Sequence, residues 1–447
     1  MTSSPSHLGW LGIVRLGFVQ AALGAIVVLT TSTINRVMIV ELMLPAMVPG
    51  LFVTWHYALQ VLRPSWGHRS DKGGRRTRWI ISGMAALALG GFGAAVSVHV
   101  MASHMLAGMI AAAISFTLIG GGVGAAGTNL LVLLAKRVAE TRRAAAATIV
   151  WIMMIVGFIL TAALAGRFLD PFSTQRLMAV AGVICAVAFL MTLLALWGVE
   201  RNVQPTDNLP AARPSTPFRQ AIAEVWADAT ARRFAIFIFV SMLAYSAQDL
   251  ILEPFAGIVF GLTPGQSTSL SGIQNSGVLL GMVLVGGLST LFPRLMSLRS
   301  WTVLGCVGSA LALSGLVAAA QVGPGWPLNP SVFALGFMNG VFAVAAIGSM
   351  FSMANSGGQS REGVRMGLFG ASQAIAFGIG GFAGTVLVDV TRLMLGSPVM
   401  AYATVFAVEA VLFLAAAALA AAVGRRDGFG DAANPLILAA RHQASGS

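Results

Sequence analysis

Two carboxylates inside one apolar stretch are the residues best suited, by type and spacing, to carry chemistry. Asp249 and Glu253 stand four residues apart, so they share one helix face, with Gln248 and Tyr245 alongside. Ionisable side chains at membrane depth are costly to bury and are functional candidates by default. The pattern is typical of a polar cavity lining or of a proton-coupling pair. Alternatively, Glu253 precedes Pro254 and marks only the end of a helix.

Four more ionisable residues lie in or near apolar stretches. Arg36 and Glu41 are close enough in sequence to pair and neutralise each other, while Asp389 and Glu409 stand in later stretches. Each is a candidate polar group within a membrane. For Glu41 and Asp389, the alternative is a carboxylate that only marks a helix end.

His56 is the most distinctive single residue, because it lies midway along an apolar stretch between Trp55 and Tyr57. A neutral imidazole in a low-dielectric site is a good axial ligand for a metal held in a macrocycle. Together the three residues predict a site for a planar, metal-bearing ligand. The alternative is a histidine that bonds a backbone carbonyl or faces a cavity.

A short polar run, GHRSDKGGRR, separates two apolar stretches. Its spacing resembles the signature of the loop between the second and third helices of major facilitator transporters. In such transporters this element links neighbouring helices and steadies one conformational state. The candidate residues of this conformational loop motif are Gly67, Asp71, Lys72, Gly74, Arg75 and Arg76. The alternative is a basic cluster that only fixes which side of the membrane the loop occupies.

The motifs of several enzyme classes are missing from the sequence. There is no phosphate-binding loop, no H-E-x-x-H zinc motif and no Cys/His cluster with metal-ligand spacing. Cys185 and Cys306 both lie in apolar runs, so a disulfide framework is not expected. We therefore expect no catalysis, no metal site and no tightly bound cofactor.

The elements that position these residues are membrane helices. The chain has 447 residues, of which 57% are hydrophobic and 9% charged, and several apolar runs exceed the length that crosses a bilayer. Period-2 alternation is absent, so the runs are helices rather than barrel strands. Twelve spans are predicted, at residues 10–34, 46–66, 78–101, 105–134, 146–169, 176–199, 234–260, 268–292, 300–320, 329–355, 366–391 and 399–423.

A long hydrophilic stretch divides the spans into two sets of six. We predict an N-terminal six-helix bundle at 1–199, a cytoplasmic linker at 200–232, a C-terminal bundle at 233–423 and a cytoplasmic tail at 424–447. A faint internal repeat relates the segment from Gly122 to Arg143 to that from Gly340 to Arg361. Six plus six helices is the organisation of a parallel-repeat transporter.

The net charge of +12 orients the helices rather than binding nucleic acid. Lys and Arg concentrate in the loops after even-numbered spans, in the linker and in the tail, which predicts that both termini are cytoplasmic. The excess cations would contact anionic lipid headgroups. The prediction is a multi-pass protein of a bacterial inner membrane.

The segment from Trp10 to Leu51 carries a more specific resemblance. Its most characteristic part is TINRVMIVEL, from Thr33 to Leu42. Together with the following RPSWGHRSDKGGRRT, this segment resembles the PucC/LhaA branch of the major facilitator superfamily. The similarity covers the membrane region from Trp10 to about Val423, and it implies the major facilitator fold.

The resemblance also implies a role in purple-bacterial photosynthesis, in a cytoplasmic or intracytoplasmic photosynthetic membrane. The implied function is handling of bacteriochlorophyll as cargo during assembly of light-harvesting complexes, by pigment delivery or as an antenna chaperone. The implied partners are bacteriochlorophyll or a precursor, light-harvesting polypeptides, the pigment synthase and the translocon. The alternative is a proton-coupled secondary transporter of a small metabolite.

Overall fold

The protein is all-helical, with helices that run back and forth across a membrane. The computed structural model describes residues 8–62, 76–139, 142–200, 226–292, 296–355 and 362–426. The long helices in these ranges are α1 Trp10–Val40, α2 Met47–Leu59, α3 Arg76–Met101, α4 Met105–Arg137, α5 Arg143–Phe168, α6 Thr174–Leu196, α7 Ala229–Phe260, α8 Pro264–Leu291, α9 Leu298–Val322, α10 Leu328–Asn355, α11 Glu362–Leu395 and α12 Pro398–Arg426. Eleven of the described helices are long and apolar enough to cross a membrane. The exception is α2, which is described only as far as a 3₁₀ turn at Gln60–Leu62.

Apart from the end of α2, two described helix limits differ from the predicted spans by five residues or more, and the others differ by less. Helix α1 continues beyond residue 34 to Val40, through a π-helical segment at Leu29–Ile34 that is rich in threonine and wholly buried. Helix α7 begins at Ala229, inside the predicted linker, because Asp228 caps its first turn by accepting from the backbone N–H groups of Thr230 and Ala231. The predicted domain limits stay predictions.

The packing of α1–α6 is repeated by α7–α12. In the first half of the chain α1 packs on α5 and α6, α4 on α2 and α3, and α3 on α6. Adding six to each number gives the contacts of the second half: α7 packs on α11 and α12, α10 on α8 and α9, and α9 on α12. Each half has its own buried apolar core, and Leu250, Ile39 and Ala46 pack into the core of the opposite half.

In the described residues the halves are joined mainly by α1 with α7 and α8, by α2 with α11, and by α5 with α8. Odd-numbered helices finish and even-numbered helices start at the end of the bundle that contains Glu41. We call this the Glu41 end. The α7–α8 turn lies here, formed by Gly261 at a φ of 68° and by a capping box of Thr263 and Gln266.

Candidate functional site

The TINRVMIVEL segment lies where the last part of α1 crosses α7 and α8. Thr33 Oγ1 is 3.1 Å from Thr268 Oγ1, and Asn35 Nδ2 donates to the Leu250 carbonyl at 2.7 Å. Asn35 is 1% exposed. The most distinctive part of the sequence therefore forms the buried junction between the two halves.

The bond from Asn35 has a specific cause in α7. Pro254 lies inside that helix and has no backbone N–H, so the carbonyl four residues earlier, on Leu250, lacks its helical donor. Asn35 supplies the missing donor from the other half of the chain. Glu253-Pro254 therefore does not end a helix, since α7 continues to Phe260.

Arg36 is the second element of the junction. It forms an ion pair with Glu41 at 2.5 Å, in which the Arg36 side chain is 2% exposed and that of Glu41 is 33% exposed. The same guanidinium donates to the Leu262 carbonyl at 2.8 Å, across the halves. Glu41 follows directly after α1 and thus stands at a helix end, while Arg36 is a buried cation with fixed acceptors.

Glu253 and Asp249 are not brought together into one bonded pair. Glu253 is 1% exposed and accepts from Ser271 Oγ at 2.5 Å and from Thr268 Oγ1 at 3.4 Å. Arg36 lies within electrostatic range of it. Asp249 is half-buried one turn earlier and does not share these partners. Glu253 therefore belongs to the junction, whereas Asp249 belongs to the region described next.

Three half-buried aromatic rings meet at the crossing of α2, α7 and α11. The ring centroid of Phe377 is 5.7 Å from that of Tyr57 and 5.9 Å from that of Tyr245, which are separations typical of interacting rings. We call Tyr57, Tyr245 and Phe377 the central aromatic cluster. Asp249 lies one helical turn after Tyr245. The arrangement is an aromatic surface with a nearby carboxylate, shared by both halves.

The rings of His56 and Tyr57 are in contact, with centroids 4.5 Å apart, whereas Trp55 points away from them. His56 is 1% exposed, and its Nε2 is 2.9 Å from Gln60 Nε2. Trp55 is 48% exposed and donates from Nε1 to Thr117 Oγ1 of α4. Of the three, only Tyr57 belongs to the central aromatic cluster. The Trp55 ring projects elsewhere because residues one apart on a helix point about 100° apart.

Gln248 points away from Asp249 into the core of the second half. Its Oε1 accepts from Asn339 Nδ2 at 2.8 Å, and Asn339 Oδ1 accepts from Ser309 Oγ at 2.8 Å. This buried network ties α7, α10 and α9 together. Glu409 of α12 is 2% exposed, and both of its carboxyl oxygens lack a hydrogen-bond partner in the described part of the chain.

Asp389 lies in α11, six residues before its end, and accepts from two backbone N–H groups at the start of α2. Of the conformational loop motif, only Arg76 is described: it is 5% exposed, and its backbone N–H donates to Glu200 Oε1 at 3.2 Å. The rest of that motif, from Gly67 to Arg75, lies outside the described residues.

Sequence reasoning did not single out Phe377 or Asp170. Phenylalanine is common in membrane helices, so nothing marks Phe377 before its neighbours are known. Asp170 had a recognisable signal. It is a carboxylate directly after a predicted span and before Pro171, a position from which it could reach the start of a neighbouring helix.

The relatives of this chain include two proteins of Rhodobacter capsulatus. The chain is 50% identical over 420 residues to the "Bacteriochlorophyll synthase 44.5 kDa chain" of Rhodobacter capsulatus, covering 93% of this chain and 96% of the relative. It is 27% identical over 442 residues to "Protein PucC" of Rhodobacter capsulatus, covering 93% of each.

The first of these relatives corrects the expectation that the chain has no enzymatic role. A relative that is 50% identical carries the name of a bacteriochlorophyll synthase chain, which gives an enzymatic link, so the expectation of no catalysis was wrong. The expectation rested on missing motifs of a few enzyme classes. The absence of a phosphate loop and of a zinc motif does not exclude an enzymatic link of another kind.

The solved structures define the fold. A POT family transporter in complex with 5-aminolevulinic acid aligns with a TM-score of 0.69 at 14% identity, covering 94% of this chain and 99% of that one, so the chain is a multi-pass membrane protein with the fold of major facilitator transporters. The sequence profile described as "PUCC protein" matches residues 33–428, which include TINRVMIVEL. The chain belongs to the PUCC protein family.

Proposed function

We propose that this chain handles bacteriochlorophyll where synthesis of the pigment meets assembly of light-harvesting complexes. The observation that carries the proposal is the 50% identity, over nearly the full length, to a chain named for bacteriochlorophyll synthase. The similarity to "Protein PucC" supports the same setting. The partners proposed are the pigment or a precursor, the pigment synthase, light-harvesting polypeptides and the translocon.

The central aromatic cluster is the surface proposed to hold the pigment. Bacteriochlorophyll is a large, flat, apolar ring system, and flat apolar ligands are bound by half-exposed aromatic side chains with a few polar groups nearby. Tyr57, Tyr245 and Phe377 provide such rings, and Asp249 provides a polar group one turn away. Both halves contribute residues, so movement of one half relative to the other would change the contacts with the ligand.

The residues present fit stacking better than axial ligation by His56. The imidazole is 1% exposed, and its Nε2 already lies 2.9 Å from Gln60. A ligand to the central magnesium needs an open nitrogen facing the ring. We therefore assign no pigment ligand to His56 and place the proposed contact on the aromatic cluster.

A binding titration tests this proposal. Bacteriochlorophyll is added to the purified protein in mild detergent, and quenching of its fluorescence is followed. Phe377→Leu is expected to weaken binding about tenfold, because one stacking surface is lost. Phe292→Leu is the matched control, since that ring is 59% exposed beyond the end of α8. Equal affinities for the two variants would place the contact elsewhere, and no binding by the unaltered protein would reject the proposal.

A proton-coupled transporter of a small metabolite is the second candidate, favoured by the likeness to POT transporters. It requires substrate-dependent proton flux in proteoliposomes. Asp249→Asn is expected to abolish that flux if Asp249 carries the coupled proton. Glu253→Gln is expected to act through the junction, lowering stability as well as flux.

A further inference from the structure

Two carboxylates at the Glu41 end hold the start of a helix in the opposite half of the chain. Asp170, just after α5, accepts from Thr263 Oγ1 at 2.5 Å and from the Gly265 N–H at 3.2 Å. Asp389, in α11, accepts from the N–H groups of Ala46 at 3.0 Å and Met47 at 2.7 Å. Each carboxylate thus bridges the two halves.

The two bridges are related by the repeat in the fold. Adding six to the helix numbers converts the α5–α8 bridge into the α11–α2 bridge with the halves exchanged. One contact of this kind could be incidental, but its recurrence at the equivalent position of the other half favours a shared role. Both carboxylates accept from backbone N–H groups at a helix start, which are unpaired within the helix and carry a partial positive charge. Asp170 accepts in addition from the Thr263 hydroxyl.

The local sequence is adapted to each bridge. Helix α2 has no side-chain cap of its own, since its first flanking residue is Ala46, so Asp389 supplies the missing acceptor. The second residue of helix α8 is Gly265, where a Cβ atom would overlap Asp170 Oδ2 and the Gly166 carbonyl. A glycine is therefore required for Asp170 to approach.

We propose that Asp170 and Asp389 form a two-point latch that holds the halves closed at the Glu41 end and releases when they move apart. The Asp389 bond to Met47 and the Asp170 bond to Thr263 are exposed. Water can therefore replace either partner after opening. Such bonds stabilise the closed state but still allow the halves to move apart. The latch does not depend on the identity of the ligand, so its test is independent of the test of pigment handling.

Distances between spin labels test the latch. The labels are placed by Ser103→Cys, between α3 and α4, and Val322→Cys, at the end of α9. Both residues are exposed at the Glu41 end, away from the latch. The native Cys185 and Cys306 are buried, and a sample without added cysteines measures their labelling. Pulsed dipolar spectroscopy then reports the populations of closed and open states.

The expected result follows from the cost of a lost helix cap. Asp170→Ala and Asp389→Ala are each expected to raise the ratio of open to closed protein about fivefold. The double variant is expected to raise it about 25-fold, because the two sites are independent. Open protein shows a longer distance between the labels.

Glu200→Ala is the matched control. Glu200 also accepts from two N–H groups at a helix start, those of Arg76 and Thr77, but both lie in its own half. This variant is expected to lose stability without changing the distance between the labels. If the Ala double variant does not fold, the Asn double variant keeps the shape of both side chains and is expected to shift the populations in the same direction. Unchanged populations in a folded double variant of either kind would overturn the latch.

Discussion

Asn35 and Pro254 are expected to be energetically coupled although they lie in different halves of the chain. Asn35→Leu removes the 2.7 Å bond to the Leu250 carbonyl, and the carbonyl belongs to a residue that is 2% exposed. An unsatisfied buried carbonyl costs about 1–3 kcal/mol, and hydrogen bonds inside membrane proteins average nearer 0.6 kcal/mol, with a maximum of about 1.7. We expect Asn35→Leu to lower the free energy of unfolding by about 1.5 kcal/mol.

Pro254→Ala restores an N–H that can bond the Leu250 carbonyl within α7. In that background the carbonyl no longer depends on Asn35. The cost of Asn35→Leu is then expected to fall to a few tenths of a kcal/mol, which gives a coupling energy of about 1 kcal/mol. The assay is reversible unfolding in mixed detergent micelles for the wild type, both single variants and the double variant.

Asn275→Leu is the control for this cycle. Asn275 also donates to a carbonyl, that of Ser271, but this carbonyl is four residues earlier in its own helix and is already in reach of the Asn275 backbone N–H. Asn275→Leu is therefore expected to change stability by less than about 0.5 kcal/mol. Additive costs for Asn35→Leu and Pro254→Ala would refute the reasoning.

Two further substitutions at the junction have matched controls. Arg36→Met is expected to lower the free energy of unfolding by about 3 kcal/mol, which is less than for a fully buried ion pair because Glu41 is 33% exposed. Its control is Arg392→Met, at an exposed position near the same end. That variant is expected to lower the free energy of unfolding by less than about 0.5 kcal/mol in the same assay. Gly265→Ala is expected to lower the thermal midpoint because the new Cβ displaces Asp170, whereas Gly287→Ala in the same helix meets no atom within 4 Å and is expected to hold or raise it. Equal effects within either pair would contradict the contacts described.

The sequence predicts the membrane helices well because hydropathy reports directly on burial in lipid. It also locates TINRVMIVEL as distinctive, and the family profile confirms that resemblance. It does not reveal that this segment is a junction, since Thr33 contacts Thr268, which is 235 residues away. Contacts of this kind depend on how the two halves pack, which periodicity and composition do not encode.

Glu253-Pro254 shows how local rules fail at such a contact. A proline after a polar residue favours a helix end, and that interpretation is sound for an isolated segment. The helix continues here because Asn35 satisfies the carbonyl that the proline leaves open. His56 shows a second limit. Its position in the span was predictable, but the direction of its ring depends on which neighbours α2 packs against.

The central proposal is that the chain handles bacteriochlorophyll, and an absorption spectrum tests it most directly. The protein is purified in a gentle detergent from cells that make the pigment, alongside the Phe377→Leu variant. The account predicts a bacteriochlorophyll band that stays with the protein during size-exclusion chromatography and is reduced in the variant. A folded wild-type protein that carries no pigment band under these conditions would contradict it.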